Sequence, residues 1–163
     1  MQRKQFLKAV SIGSSAFAFP FISYAQAEDP LPIAQVKDFV IAGHGNFDKV
    51  KQMFEETPQL VYATFDWAKG DFETALEGAG HTGHKEIANY LIDKGARTNL
   101  FVLTMLGKTQ IVKPFLETFP QYLTARGPHG LTLLHHAQQG GEDAKELLDY
   151  LTAKGLKDAK AQL

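Results

Sequence analysis

Between residues 45 and 156 the chain repeats itself, and this repetition limits what it can fold into more than any other feature. The segment Phe54-Glu-Glu-Thr-Pro58-Gln-Leu-Val-Tyr-Ala63 resembles Phe115-Leu-Glu-Thr-Phe-Pro120-Gln-Tyr-Leu-Thr-Ala125, each read as a helix end, a proline stop and an extended exit. Gly83–Ala96 has its counterpart in Leu147–Leu156, with the Tyr-Leu and Lys-Gly pairs recurring 60 residues apart. Gly45–Phe54 and Gly107–Leu116 fit the same frame, which makes four similar units. Each reads as a short helix, a glycine turn and a longer helix. The apolar stripes Val50/Met53/Phe54, Ile87/Ala88/Leu91/Ile92, Ile111/Val112/Phe115/Leu116 and Leu147/Leu148/Leu151 give the longer helices one buried face each. No unit can bury that face alone, so the units must stack.

Within the repeats, the pattern Thr-Pro-Leu-His-x-Ala appears as Thr132-Leu133-Leu134-His135-His136-Ala137, and more loosely as Thr74-Ala75-Leu76-Glu77-Gly78-Ala79. A Gly-His turn follows at Gly83-His84, eroded to Gly45-Asn46, and a Lys-Gly-Ala helix ending stands at Lys94-Gly95-Ala96. In these motifs the chain resembles ankyrin-repeat proteins over residues 35–157. DWAKGDFETAL, GARTNLF, MLGK and GPHGLTLLHHA are similar to a group of small bacterial ankyrin proteins. The resemblance implies an all-α ankyrin-repeat solenoid of about four degenerate helix-turn-helix repeats. Two departures stand out. The third unit follows the second by 24 residues, against about 33 in the family, so the length of a β-hairpin finger is missing around Asn99-Leu100-Phe101. The connection from Pro58 to Thr74 is conversely four residues longer than that from Pro120 to Thr132.

Residues 1–27 read as an address. Arg3, Lys4 and Lys8 precede a mildly apolar run of 17 residues interrupted by Pro20, which ends in Ala25-Gln26-Ala27 before the acidic Glu28-Asp29. This is the layout of a signal peptide cleaved after Ala27. A permanent span needs about 20 strongly apolar residues, so no stable membrane span is expected after cleavage. Gln2–Lys8 resembles the twin-arginine export signal, with Lys4 in place of the second arginine. The general secretory route gives the same location, the periplasm. Residues 28–34 read as a leader and 158–163 as a polar tail capping the last repeat.

Beyond the signal the charge is −4, from 14 cations and 18 anions spread along the chain. There is no basic stripe to neutralise phosphates, so nucleic acid is not an expected partner. The absence of cysteine excludes disulfides, thiolate metal sites and cysteine nucleophiles.

The long connection concentrates Phe65, Asp66, Trp67, Asp71, Phe72 and Glu73. Rigid aromatics flanked by polar groups are the composition of interface hot spots. With His129, these residues are the expected contact surface for another exported protein of unknown identity, as an adaptor or protective, immunity-like partner. Trp67 equally suits a structural cover over the gap left by the missing finger. No catalytic residue is assigned: there is no Gly-x-Ser-x-Gly elbow and no phosphate loop, and loop carboxylates are expected to be solvated. No cofactor is expected, and no metal ligands are named. His135 and His136 point about 100° apart on a helix, no His-Glu-x-x-His is present, and the Gly-His and Leu-His positions resemble ankyrin positions that tie neighbouring turns. A small-molecule or metal-binding protein using His81, His129 and His135 stays open as the alternative.

Overall fold

Thr74, Asn99 and Thr132 begin three helices in the same way. The Thr74 hydroxyl accepts from the Glu77 N–H at 3.1 Å, and the Glu77 carboxylate accepts from the Thr74 N–H at 2.9 Å, a reciprocal capping box. The Asn99 side chain accepts from the Val102 N–H at 3.1 Å, and the Thr132 hydroxyl faces the His135 N–H. The Asn99 amide also donates to Glu77 at 2.7 Å, which joins the starts of two neighbouring helices.

A computed structural model describes residues 29–162; the expected signal peptide lies outside the described residues. Its helices are α1 (Ile33–Gly43), α2 (Phe47–Glu56), α3 (Ala75–Thr82), α4 (Lys85–Asp93), α5 (Leu100–Met105), α6 (Thr109–Thr118), α7 (Leu133–Gly140) and α8 (Lys145–Ala153). A small antiparallel sheet pairs β1 (Phe65–Asp66) with β2 (Phe72–Glu73), Phe65 opposite Glu73 and Asp66 opposite Phe72. The fold is therefore mostly helical. None of these helices is long and apolar enough to cross a membrane.

The helices pair in sequence, α1 with α2, α3 with α4, α5 with α6 and α7 with α8. The first members line up in one row, α1 against α3, α3 against α5 and α5 against α7. Buried residues form two clusters. One gathers Phe39, Leu60, Leu76, Leu91 and Met105; the other gathers Val112, Leu116, Leu133, Leu147 and Leu151.

Each stripe read from the sequence sends residues into this core, and one of its members does not follow: Ile111 is 54% exposed while its neighbour Val112 is fully buried. The proline stops also differ from expectation. Pro58 and Pro120 do not lead straight into extended chain but open 3-10 turns, Pro58–Tyr62 and Pro120–Thr124, because proline needs no N–H partner at a first helical position. The extended exits follow only at Ala63 and Ala125.

Two irregular segments position the functional site. The long connection forms the β1–β2 hairpin, whose tip is closed by the Trp67 N–H donating to the Asp71 carbonyl at 3.0 Å and the Gly70 N–H donating to the Asp66 carboxylate at 3.2 Å. The polar tail runs back across the turn before α7. There the Thr132 N–H donates to the Ala159 carbonyl at 3.0 Å, and the Ala161 N–H to the Gly130 carbonyl at 2.9 Å. That turn, Pro128–Gly130, presents His129.

Candidate metal centre

Side chains alternate across a strand, so β2 turns Phe72 outward, 57% exposed, and Glu73 inward. The expectation of solvated loop carboxylates fails at Glu73, whose side chain is fully buried. A buried carboxylate requires partners, and four surround it. Trp67 Nε1–H donates to Oε2 at 2.6 Å. His81 Nε2 lies 2.6 Å from Oε1 and His44 Nε2 3.3 Å from the same oxygen. His129 Nε2 lies 3.4 Å from Oε2.

Different parts of the chain deliver these groups. His44 caps the end of α1, and its ring fits because residue 78 on α3 is glycine: a Cβ there would stand 2.8 Å from the imidazole. His81 projects from the last turn of α3, and the carbonyl of the same residue accepts from His135 Nε2 at 2.8 Å. His129 sits in the left-handed region, with φ 60° and ψ 16°. A non-glycine residue adopts that conformation only when its surroundings hold it there.

The remaining ring nitrogens fix which way the imidazoles face. His44 Nδ1 donates to the Val40 carbonyl at 2.9 Å, and His129 Nδ1 donates to the Asp71 carboxylate at 2.7 Å. In their neutral forms both rings therefore present an Nε2 lone pair to the acceptor oxygens of Glu73. If the Nε2 of His81 carries a hydrogen, it satisfies only one neighbour, although His44 Nε2 stands 3.0 Å away and Glu73 Oε1 2.6 Å away. Such a convergence of acceptors calls for positive charge at its centre, a proton or a metal cation.

The electrostatics follow the same logic. Burial pushes the Glu73 carboxyl up, but the hydrogen bonds from His44 and His81, the charge on His44 and the Trp67 N–H together outweigh it and bring the pKa down to about 2. The hydrogen bond to Glu73 holds the His44 imidazole above its usual range, against the effect of burial.

One donor atom each from His44, Glu73, His81 and His129 lies within 4.8 Å of the others. Donors on a tetrahedral zinc stand about 3.3 Å apart, close to several of these separations. Three imidazoles and one carboxylate suit zinc and the neighbouring first-row metals, whereas calcium and magnesium prefer all-oxygen surroundings. The Val40 carbonyl, the Asp71 carboxylate and the Trp67 N–H are outer partners of the kind that orient metal ligands.

Of the residues named from the sequence, the structure brings Trp67, Asp71, Glu73 and His129 together. Phe65 packs edge-on to Trp67 at 4.9 Å between ring centres, while Asp66 and Phe72 remain exposed outside the cluster. His135 ties α7 to α3 without joining the donor set, and His136 is buried, its Nδ1 donating to the Thr132 carbonyl at 2.8 Å. His44 is the residue that sequence reasoning missed. Its signal was positional: it stands just before the Gly45-Asn46 turn, and His81 just before the Gly83-His84 turn, so pairing the first helices sets the two side by side. The sequence matches no protein-family model and no curated protein.

Proposed function

We propose that this chain is an exported metal-binding protein, in which an ankyrin-like array of four repeats holds one first-row transition-metal ion through His44, Glu73, His81 and His129. The observation that carries the reading is the convergence of imidazole lone pairs on a fully buried carboxylate, with His44 and His129 already oriented through their far nitrogens. Helix pairing and the repeated Thr/Asn caps support the ankyrin-like part. The signal-like residues 1–27 support export to the periplasm. Binding rather than turnover is the proposed activity, because the sequence carries none of the nucleophile or phosphate-loop motifs.

The test is a competition titration of the chelator-stripped whole chain with zinc. One tightly bound ion per chain is expected. His44→Ala and His129→Ala should each weaken binding by more than the roughly 10–100-fold that losing an outer-sphere partner costs. A folded chain, by far-UV circular dichroism, that takes up no stoichiometric zinc, cobalt, nickel, copper, iron or manganese would overturn the reading.

A second reading, the capture of another exported protein, is favoured by an apolar groove of about 460 Å³ beside Leu100, Phe101, Ile111, Phe115 and Tyr122. Ile111 and Tyr122 are 54% and 44% exposed there. A pull-down from periplasmic extract that Ile111→Asp abolishes, and a chelator leaves intact, would support it; retention in Ile111→Asp would remove the groove from consideration.

A further inference from the structure

We infer that the metal held by these four side chains also takes a small monoanion, from a recess of about 320 Å³ lined by Ile41, His44, Trp67 and His129. The inference rests on the metal reading and adds an exogenous ligand to it.

Three observations carry it. First, the recess is bounded by two of the ligating rings themselves, His44 and His129, so a molecule lodged there lies against the ligand set. Four protein donors complete a tetrahedral shell but leave a position for a metal that accepts five or six.

Second, the charge balance favours an anion. A divalent cation with Glu73 as its one anionic ligand retains a net positive charge, in surroundings where Coulomb terms are stronger than in bulk water. Asp71 lies behind His129, bonded to its Nδ1 rather than facing the donor atoms, and is already engaged by two N–H groups of His129. A cation beside the Trp67 wall reinforces the sign: the Lys37 ammonium stands 5.6 Å from the Phe65 ring centre and 5.8 Å from that of Trp67. Lys37, Ile41 and His44 fall on one stripe of α1, at helical spacings of four and three. Lysine, apolar wall and metal ligand therefore succeed one another along that stripe, of which Ile41 and His44 line the recess.

Third, the recess is small and its non-ligating walls are the Ile41 side chain and the Trp67 indole. Those walls fit the short apolar body of a carboxylate such as acetate, or a linear ion such as azide. They offer no donors to a polyhydroxylated or multiply charged molecule.

The experiment loads the whole, chelator-stripped chain with cobalt(II), whose visible absorption reports coordination, and titrates it with azide and then with acetate. A saturable change in the cobalt bands is expected with each anion. Lys37→Gln should weaken anion affinity roughly tenfold while leaving cobalt affinity unchanged. Cobalt bands that form normally but do not respond to either anion at 100-fold molar excess and beyond, to the solubility limit, overturn the inference and leave the metal reading standing. If no cobalt bands form, the metal reading fails and the inference falls with it. Equal anion affinity in Lys37→Gln and the parent overturns the part assigned to Lys37 and leaves the anion on the metal.

Discussion

Asp71 holds His129 twice: one carboxylate oxygen accepts from the backbone N–H at 2.7 Å and the other from ring Nδ1, also at 2.7 Å. The pair fixes both the left-handed backbone of residue 129 and the direction of its Nε2. Asp71→Asn keeps the shape but turns one of the two acceptors into a donor. Zinc affinity should fall about 10–100-fold, and the metal-free chain should lose about 1–3 kcal/mol of stability. Competition titration and urea unfolding measure the two effects separately; unchanged affinity would show that His129 does not need this clasp.

Trp67 stands between two roles, surface and cover, and Trp67→Phe separates them. Phenylalanine retains an aromatic body against Phe65 but removes the N–H that reaches Glu73 Oε2. One buried oxygen then lacks a donor, so unfolding free energy in urea should drop by about 1–3 kcal/mol. A variant as stable as the parent would mean that the indole serves only as surface.

Gly78 tests the seat of His44. Alanine at this helical position is favourable for an exposed helix, yet its Cβ would meet the His44 ring at 2.8 Å. Gly78→Ala should therefore cost about 1–3 kcal/mol through overpacking and weaken metal binding by displacing that imidazole. Should a crystal structure of the variant show His44 unmoved, the steric account is wrong.

His136 governs part of the acid response. Burial lowers its pKa to about 4, outweighing the bond to the Thr132 carbonyl. In the unfolded chain its pKa is about 6.5. Above pH 6.5 the ring is neutral in both states and costs nothing. As the pH falls toward 4, the unfolded chain takes up a proton that the folded chain refuses, so stability declines by up to about 3 kcal/mol. The histidine–glutamate cluster responds differently, since His44, with its raised pKa, favours the folded state in acid and loses that contribution as pH rises. Comparing the metal-free parent with His136→Leu isolates the His136 component: the parent's stability relative to the variant should decline between pH 7 and pH 4. A constant difference would exclude this origin.

Much of the helical architecture was legible because it depends on local rules. Thr74 and Thr132 announce helix starts, Val112 and Leu151 fall on buried stripes, and Gly83 and Gly95 mark the ends of α3 and α4. Half of the site was legible too. Trp67, Asp71 and Glu73 stood out as a concentrated patch with His129 beside it, and His81 and His129 entered the alternative reading of a histidine-containing face. Their chemistry did not, because it depends on which way a two-residue strand faces. One step of register would have put Phe72 inside and Glu73 in water. His44 was hidden for another reason: its partners lie 29 or more residues away, and its one signal, a place before the Gly45-Asn46 turn like that of His81 before Gly83-His84, shows only when the repeats are laid side by side. Ile111 shows the converse failure, an apolar residue on the right stripe that stays half exposed among the described residues.

Arrays of stacked helix pairs ordinarily unravel from their ends one unit at a time, since each unit touches only the next. The bond between residues 71 and 129 does not respect that order. It reaches from the hairpin between the first two pairs to the turn that introduces the last, and the polar tail is laid across that same turn. The final pair therefore cannot fray alone without first releasing the hairpin. Melting should be a single cooperative transition, with the slowest amide exchange shared between α3 and α7 rather than graded along the chain.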